Sequence, residues 1–161
     1  MSPWIYVFLL LIFAFVLKLI SGKTVQKKKV YYYTLKDELL SKPEREIYNL
    51  LLRNFGKEYA IFPQVQLSKF LDEKIKGQSW KYALYHINSK SVDYVICHHN
   101  TSKPLVAIEL DDRSHQRKDR IDRDKEVERI LESVGLPLIR IENHGSFDEN
   151  RIVSEIWEKL V

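Results

Sequence analysis

Residues 92–115 read V-D-Y-V-I-C-H-H-N-T-S-K-P-L-V-A-I-E-L-D-D-R-S-H, and this stretch decides the fold. Two apolar runs, Val92–Cys97 and Leu105–Leu110, flank a polar hexapeptide, His98–Lys103. Two short runs of this kind around a few polar residues are typical of a β-hairpin with a longer loop. The stretch therefore predicts two adjacent antiparallel strands at the centre of the domain.

Each apolar run contains one carboxylate, and the hairpin brings the two together. With the hairpin centred on Thr101, Asp93 faces Glu109, and Asp111 points to the same side as Glu109 because it lies two residues further along the strand. Directly opposed side chains lie roughly 5 Å apart, and like charges there repel by on the order of 3 kcal/mol at an effective dielectric constant of about 20. Three acids on one face need protons or a cation, so the pattern predicts a divalent metal site.

The remaining sequence predicts elements that complete one α/β domain. The segment Ser41-Lys42-Pro43-Glu44 has the form of a capping box, and Pro43 suits the first turn of a helix. Pro63 interrupts an apolar strand pattern, which favours an edge strand or a bulge. The predicted elements are a helix ending near Gly56, a strand at Tyr59–Leu67, a helical turn at Lys69–Lys74, a short helix at Trp80–Ile87, the hairpin, a helix at 116–134, a strand at Leu136–Ile141 and a terminal helix containing Ile152, Ile156 and Leu160. The order α-β-β-β-α-β-α predicts a mixed four-stranded sheet flanked by helices, because a helical connection permits parallel pairing of the last two strands.

The N-terminus predicts a membrane anchor. Residues 4–20 are apolar except for Lys18, and Trp4 and Tyr6 suit the headgroup boundary. We therefore predict a transmembrane helix at residues 1–20, a basic juxtamembrane linker at residues 21–37 and a folded domain at residues 38–161. A cleaved signal peptide fits less well, because no Lys or Arg precedes the apolar run and no A-x-A-like site follows it.

The positive charge of the chain is concentrated in its first 29 residues. They hold five of the 26 Lys and Arg residues and none of the 22 acids, which leaves 21 basic and 22 acidic residues in the remainder. The lysines at 18–29 would attract anionic lipid, and the positive-inside rule predicts a single-pass protein of the cell inner membrane with its N-terminus outside and its domain in the cytoplasm. Any nucleic-acid contact by the domain must come from a local patch rather than from net charge.

The element order and the placement of the acids resemble the restriction-endonuclease-like fold of the PD-(D/E)XK nucleases, near the very-short-patch-repair endonucleases. The segment E-L-D-D-R-S-H-Q-R at 109–117 and the pair Arg123-Asp124 also resemble an uncharacterised bacterial family. The resemblance covers residues 38–142 and implies that Asp93 is the acid of the first motif, that Glu109 is the acid of E-x-K and that Glu44 is a supporting helical glutamate. Two positions depart from the pattern, because Val92 replaces a proline and Asp111 replaces the lysine of E-x-K.

The resemblance implies a nuclease that hydrolyses nucleic acid with Mg²⁺ or Mn²⁺, with DNA favoured over RNA as the substrate. Asp93, Glu109 and Asp111 are then the metal ligands, since Mg²⁺ prefers hard oxygen atoms. His115 replaces the missing lysine as general acid or base, because an imidazole titrates near neutral pH. Gln116, Arg117 and Arg123 are the predicted contacts to phosphate.

Other interpretations of the same residues remain open. The arginines at 113–123 alternate with aspartates, so they could form an exposed face of helical ion pairs. Glu44 already has a structural role as the last residue of a capping box. The runner-up function is a catalytically inactive nuclease-fold module that binds nucleic acid or a protein at the membrane, and a third is a structural anchor whose acids are all in salt bridges.

Overall fold

The computed structural model describes residues 2–20, 30–112 and 118–160, which form two compact units, residues 1–37 and residues 38–161. The first unit contains the helix α1 (Trp4–Ile20). The second contains α2 (Lys42–Phe55), β1 (Tyr59–Gln66), a 3₁₀ turn (Leu67–Lys69), α3 (Trp80–Asn88), β2 (Ser91–His98), β3 (Pro104–Asp112), α4 (Lys118–Ser133), β4 (Leu138–Asn143) and α5 (Glu149–Leu160). The predicted mixed α/β architecture is therefore confirmed.

The four strands form one sheet in the order β1-β2-β3-β4. The first three are antiparallel to their neighbours, and β4 runs parallel to β3. The hairpin has the predicted register, with Tyr94 opposite Ile108, although the register shifts between Ile96 and Cys97. Pro63 lies in the edge strand β1, as predicted, where its missing N–H removes no central ladder bond.

The local differences from the predicted elements have simple causes. The helical turn expected at Lys69–Lys74 is instead a 3₁₀ turn at Leu67–Lys69, where the Leu67 carbonyl accepts the N–H groups of Phe70 and Leu71. The last strand extends beyond the predicted Ile141, because residues 142 and 143 continue the parallel pairing with β3. Both changes leave the element order intact.

Helices cover both faces of the sheet and create two apolar clusters. The helices α2 and α5 pack against one face, and α3, α4 and the 3₁₀ turn pack against the other. The first cluster includes Ile47, Leu51, Phe55, Tyr94, Ile96, Ile108, Ile141 and Ile156. The second includes Leu67, Ile87, Val95, Ala107, Val127 and Leu131. The central strands are therefore covered on both sides, and polar side chains in them lie near the strand ends.

The predicted transmembrane anchor at residues 1–20 is not supported. Within the described parts of the chain, no helix has both the length and the apolar character needed to cross a membrane. The helix α1 has 17 residues, which at 1.5 Å per residue gives about 26 Å, against a hydrocarbon core of about 30 Å. Localisation at the inner membrane stays a prediction.

The buried hydroxyl of Tyr94 connects the sheet to α2 and provides a test of this packing. Tyr94 is completely buried, and its hydroxyl donates a hydrogen bond to the Glu44 carbonyl oxygen. We expect Tyr94→Phe to lower the free energy of unfolding in urea by about 1 kcal/mol, because the ring is kept and one hydrogen bond is lost. Tyr82→Phe is the control, since Tyr82 is 79% exposed. Equal stability of the two variants would contradict the assigned contact.

Candidate active site

The site begins where the two central strands separate. Pairing between β2 and β3 ends at Tyr94 and Ile108, although β2 still pairs with β1 as far as Ser91 and β3 still pairs with β4 as far as Asp112. The sheet therefore opens between residues 91–93 and residues 109–112, and we call this opening the strand fork. The acids predicted as ligands lie on its two sides.

The side chain of Asp93 occupies the strand fork. Its Oδ2 atom accepts a hydrogen bond of 2.8 Å from the backbone N–H of Leu110. This bond replaces the strand-to-strand bond that the N–H would make if the ladder continued. The ladder has the predicted register up to Tyr94 and Ile108, and Asp93 and Glu109 follow one residue beyond this last pair.

Glu109 and Asp111 share one cation, Arg140 of the neighbouring strand. The parallel register places Arg140 opposite Glu109. Its Nη1 atom lies 3.0 Å from Oε2 of Glu109 and 3.1 Å from Oδ1 of Asp111. Its Nη2 atom donates to the backbone oxygen of Asp124 at 3.1 Å, with Glu128 at 3.8 Å. Arg140 thus connects β3, β4 and α4, and it supports the expectation that Glu109 and Asp111 project to the same side.

Burial raises the pKa of both acids at the strand fork. The pKa of Glu109 rises from 4.5 to about 7, first because burial disfavours its charge, and Asp124, Asp93 and Asp111 add repulsion. Arg140 opposes this rise without cancelling it. The pKa of Asp93 is also raised, by burial and by the charges of Glu44 and Asp111, although the Leu110 N–H and the Gln64 amide lower it. Negative charge at this site is therefore incompletely compensated by the described groups.

Glu44 joins the site through a glutamine on the edge strand. Its Oε2 atom accepts the backbone N–H of Ser41 at 2.6 Å, which is the predicted capping contact. Its Oε1 atom accepts Nε2–H of Gln64 at 2.6 Å, and the same nitrogen lies 3.5 Å from Oδ1 of Asp93. Glu44 therefore combines a helix-capping role with an indirect link to Asp93.

Some predicted site residues lie beyond what the structure describes. His115, Gln116 and Arg117 lie outside the described residues, so their proposed roles stay predictions. Arg123 lies in α4, but the structure does not describe its side chain. Within the described residues, no group of three or more His, Cys, Asp or Glu side chains could hold a metal ion. The predicted trio of ligands is not found as a metal site among the described residues, and two of its members, Glu109 and Asp111, contact Arg140.

Sequence reasoning missed two residues of the site. Arg140 is the only charged residue inside the predicted strand Leu136–Ile141, and its position opposite Glu109 would have followed from a parallel register. Gln64 follows Pro63 in the edge strand, and a polar side chain there was the available signal. Neither signal specifies a contact by itself.

The fold and the site define an α/β domain with a carboxylate cluster at the opening between its central strands. The chain belongs to the family described as "Protein of unknown function (DUF2726)", which matches residues 36–160. No curated protein and no solved structure matches the chain.

The raised pKa of Glu109 predicts that stability falls as pH increases. The folded state retains the Glu109 proton up to about pH 7, whereas the unfolded state loses it near 4.5, so the folded state binds more protons between these values. The free energy of unfolding should therefore fall from pH 5 to pH 8, by up to about 3 kcal/mol for this group. We expect a flatter pH dependence for Glu109→Gln in urea denaturation. The exposed Glu58→Gln is the matched control, and parallel curves for wild type and Glu109→Gln would contradict the assignment.

Proposed function

We propose that residues 38–161 form a restriction-endonuclease-like nuclease domain that hydrolyses phosphodiester bonds of nucleic acid with Mg²⁺ or Mn²⁺. The observation that carries this proposal is the placement of Asp93 in the strand fork beside Glu109. Folding opposes such a concentration of half-buried carboxylates, and a bound cation would offset the opposition. The order of the second unit supports the same proposal, because it becomes the α-β-β-β-α-β-α order that the resemblance implies when the short helix α3 between β1 and β2 is set aside.

Two carboxylates are compatible with the chemistry of a magnesium ion. Mg²⁺ retains several waters and is commonly bound by one or two carboxylates together with substrate phosphates, so a cage of three acids is not required. Asp93 and Glu109 are the residues that would hold it. Arg140 contacts Oε2 of Glu109 at 3.0 Å. Among the described residues, Asp93 accepts hydrogen bonds from the Leu110 N–H at Oδ2 and, at 3.5 Å, from the Gln64 amide at Oδ1. When bound, the ion would activate a water and neutralise charge on the phosphate.

The residues of the chain would prepare the site in different ways. The Leu110 N–H fixes one oxygen of Asp93 and leaves the other directed away from that bond. Arg140 holds Glu109 in place and supplies positive charge beside it, which suits an anionic phosphate. Asp111 is engaged by Arg140, so we reassign it from ligand to partner of that arginine. His115 as general acid or base, and Gln116, Arg117 and Arg123 as phosphate contacts, complete the proposal, with DNA favoured over RNA.

The nuclease proposal predicts metal binding and cleavage that depend on Asp93. For the 161-residue chain, Mn²⁺ or Mg²⁺ at 100 times its dissociation constant should add about 2.7 kcal/mol to the free energy of unfolding. Labelled DNA and RNA should be cleaved by wild type and cleaved at least about 100-fold more slowly by Asp93→Asn. Asp37→Asn, at an exposed position, is the control and should behave as wild type. Absence of both the metal-induced shift and cleavage would exclude the nuclease.

The second candidate is a catalytically inactive module that uses the same site to bind nucleic acid or a protein. The ion pairs of Arg140 favour it, because they already supply positive charge to Glu109 and Asp111. In that case a metal ion is not needed for folding or binding. The two functions predict different responses to Mn²⁺ when Arg140 is replaced.

Arg140→Gln separates the two candidates. Loss of the guanidinium leaves two acids without their cation, so the metal-free protein should lose about 2 kcal/mol of stability, less than for a fully buried pair. Under the nuclease proposal, Mn²⁺ should stabilise this variant more than it stabilises wild type, since the freed carboxylates can serve the ion. The control is Arg53→Gln, whose pair with Glu149 is exposed and should contribute little. A variant with no added response to Mn²⁺ would favour the inactive module.

A further inference from the structure

Gln64 has a backbone conformation that a glutamine rarely adopts. Its φ is 53°, and among the described non-glycine residues only Ser102 shares a positive φ. This left-handed region disfavours residues with a side chain, and such conformations occur where surrounding contacts hold them. Gln64 lies between the pairs Pro63–Tyr94 and Val65–Val92, which places it beside Asp93 on the neighbouring strand. The unusual backbone therefore occurs on the edge strand, next to the β2 residue whose side chain occupies the strand fork.

The side chain of Gln64 lies between two acids. Its Nε2 atom carries two hydrogens, and it lies 2.6 Å from Oε1 of Glu44 and 3.5 Å from Oδ1 of Asp93. The two carboxylates repel each other, since the charge of Glu44 disfavours ionisation of Asp93. An amide that donates to both reduces this repulsion without adding a charge.

We infer that Gln64 is a positioning residue that bridges Glu44 and Asp93 and holds the Asp93 carboxylate in the orientation in which it serves the site. Its importance for cation binding rests on the proposed function, whereas the bridge itself does not. The Leu110 N–H holds Oδ2 of Asp93, and the Gln64 amide approaches Oδ1, so the two donors restrict the carboxylate from both of its oxygens. The Ser41 N–H similarly fixes the other oxygen of Glu44, which gives the bridge a rigid end on α2.

The informative variant is Gln64→Gly, because glycine accepts a positive φ without strain. It removes the amide while keeping the backbone conformation, so a loss of function cannot be attributed to backbone strain. Gln66→Gly is the matched control, since Gln66 is an exposed glutamine in the same strand. Gln64→Asn keeps an amide that is shorter by one methylene, and asparagine also tolerates positive φ. We expect it to restore part of what glycine loses.

The first measurement is the Mn²⁺ dissociation constant of the 161-residue chain by titration calorimetry. Residues that orient a metal ligand typically contribute about 10- to 100-fold in affinity, so Gln64→Gly should bind Mn²⁺ that much more weakly than wild type. Gln66→Gly should bind as wild type does. Equal affinity of Gln64→Gly and wild type would overturn the inference, as would an equal loss in both glycine variants.

The second measurement needs no metal and keeps the two proposals distinguishable. Gln64→Gly is combined with Asp93→Ala, and separately with Glu44→Ala, and the unfolding constants of single and double variants are compared. If Gln64 bridges the two acids, the change in the unfolding constant of each double variant should differ by about fivefold from the product of the two single-variant changes. If the residues act independently, the changes should multiply. If wild type binds no Mn²⁺, the proposed function fails. The unfolding constants of the double variants then test by themselves whether Gln64 bridges Glu44 and Asp93. Multiplicative effects with Asp93→Ala would overturn the bridge.

Discussion

The hydrogen bond from the Leu110 N–H to the Asp93 carboxylate is the constraint on which the site depends. A central pair of strands normally exchanges backbone bonds along its length, and a buried N–H without a partner is costly. Here a side chain accepts the N–H at the point where pairing between β2 and β3 ends. The sheet can therefore open between its two inner strands while β1 and β4 continue to pair outside them.

The opening brings acidic side chains close together, and Arg140 offsets their burial and mutual repulsion only in part. Burial disfavours the charged form of Glu109, and the nearby acids add to this, so that Arg140 does not return its pKa to the ordinary value. Arg140 is itself held by the Asp124 carbonyl as well as by the acids, so its position is set by α4 and β3 together. Arg140 therefore supplies positive charge to both acids, yet the pKa of Glu109 stays raised. Both proposed functions rest on this balance of charges.

Much of the fold follows from local patterns in the sequence, whereas the partners of the acids do not. The alternation of apolar residues and the length of the loop specify the hairpin register, because a slip of one residue would turn Tyr94 and Ile108 away from their cluster. The capping segment similarly places Glu44 at the start of α2. In contrast, the contact of Arg140 with Glu109 depends on the parallel register of β4 against β3, which no local pattern of the sequence specifies. The positive φ of Gln64 has no signature in its residue type, so the bridge could not be anticipated.

The position of Arg140 also explains why an acidic residue suits position 111. The resemblance to the PD-(D/E)XK pattern, which underlies the proposed function, places a lysine there, and its positive charge would lie beside Glu109. In this chain Arg140 brings a guanidinium to within 3.0 Å of Glu109 and 3.1 Å of Asp111 from the neighbouring strand. A lysine at 111 would then face a like charge, whereas an aspartate pairs with it and helps to hold it. The positive charge on this face of the sheet thus comes from β4 instead of β3, and Asp111 is the residue that makes this arrangement electrostatically consistent.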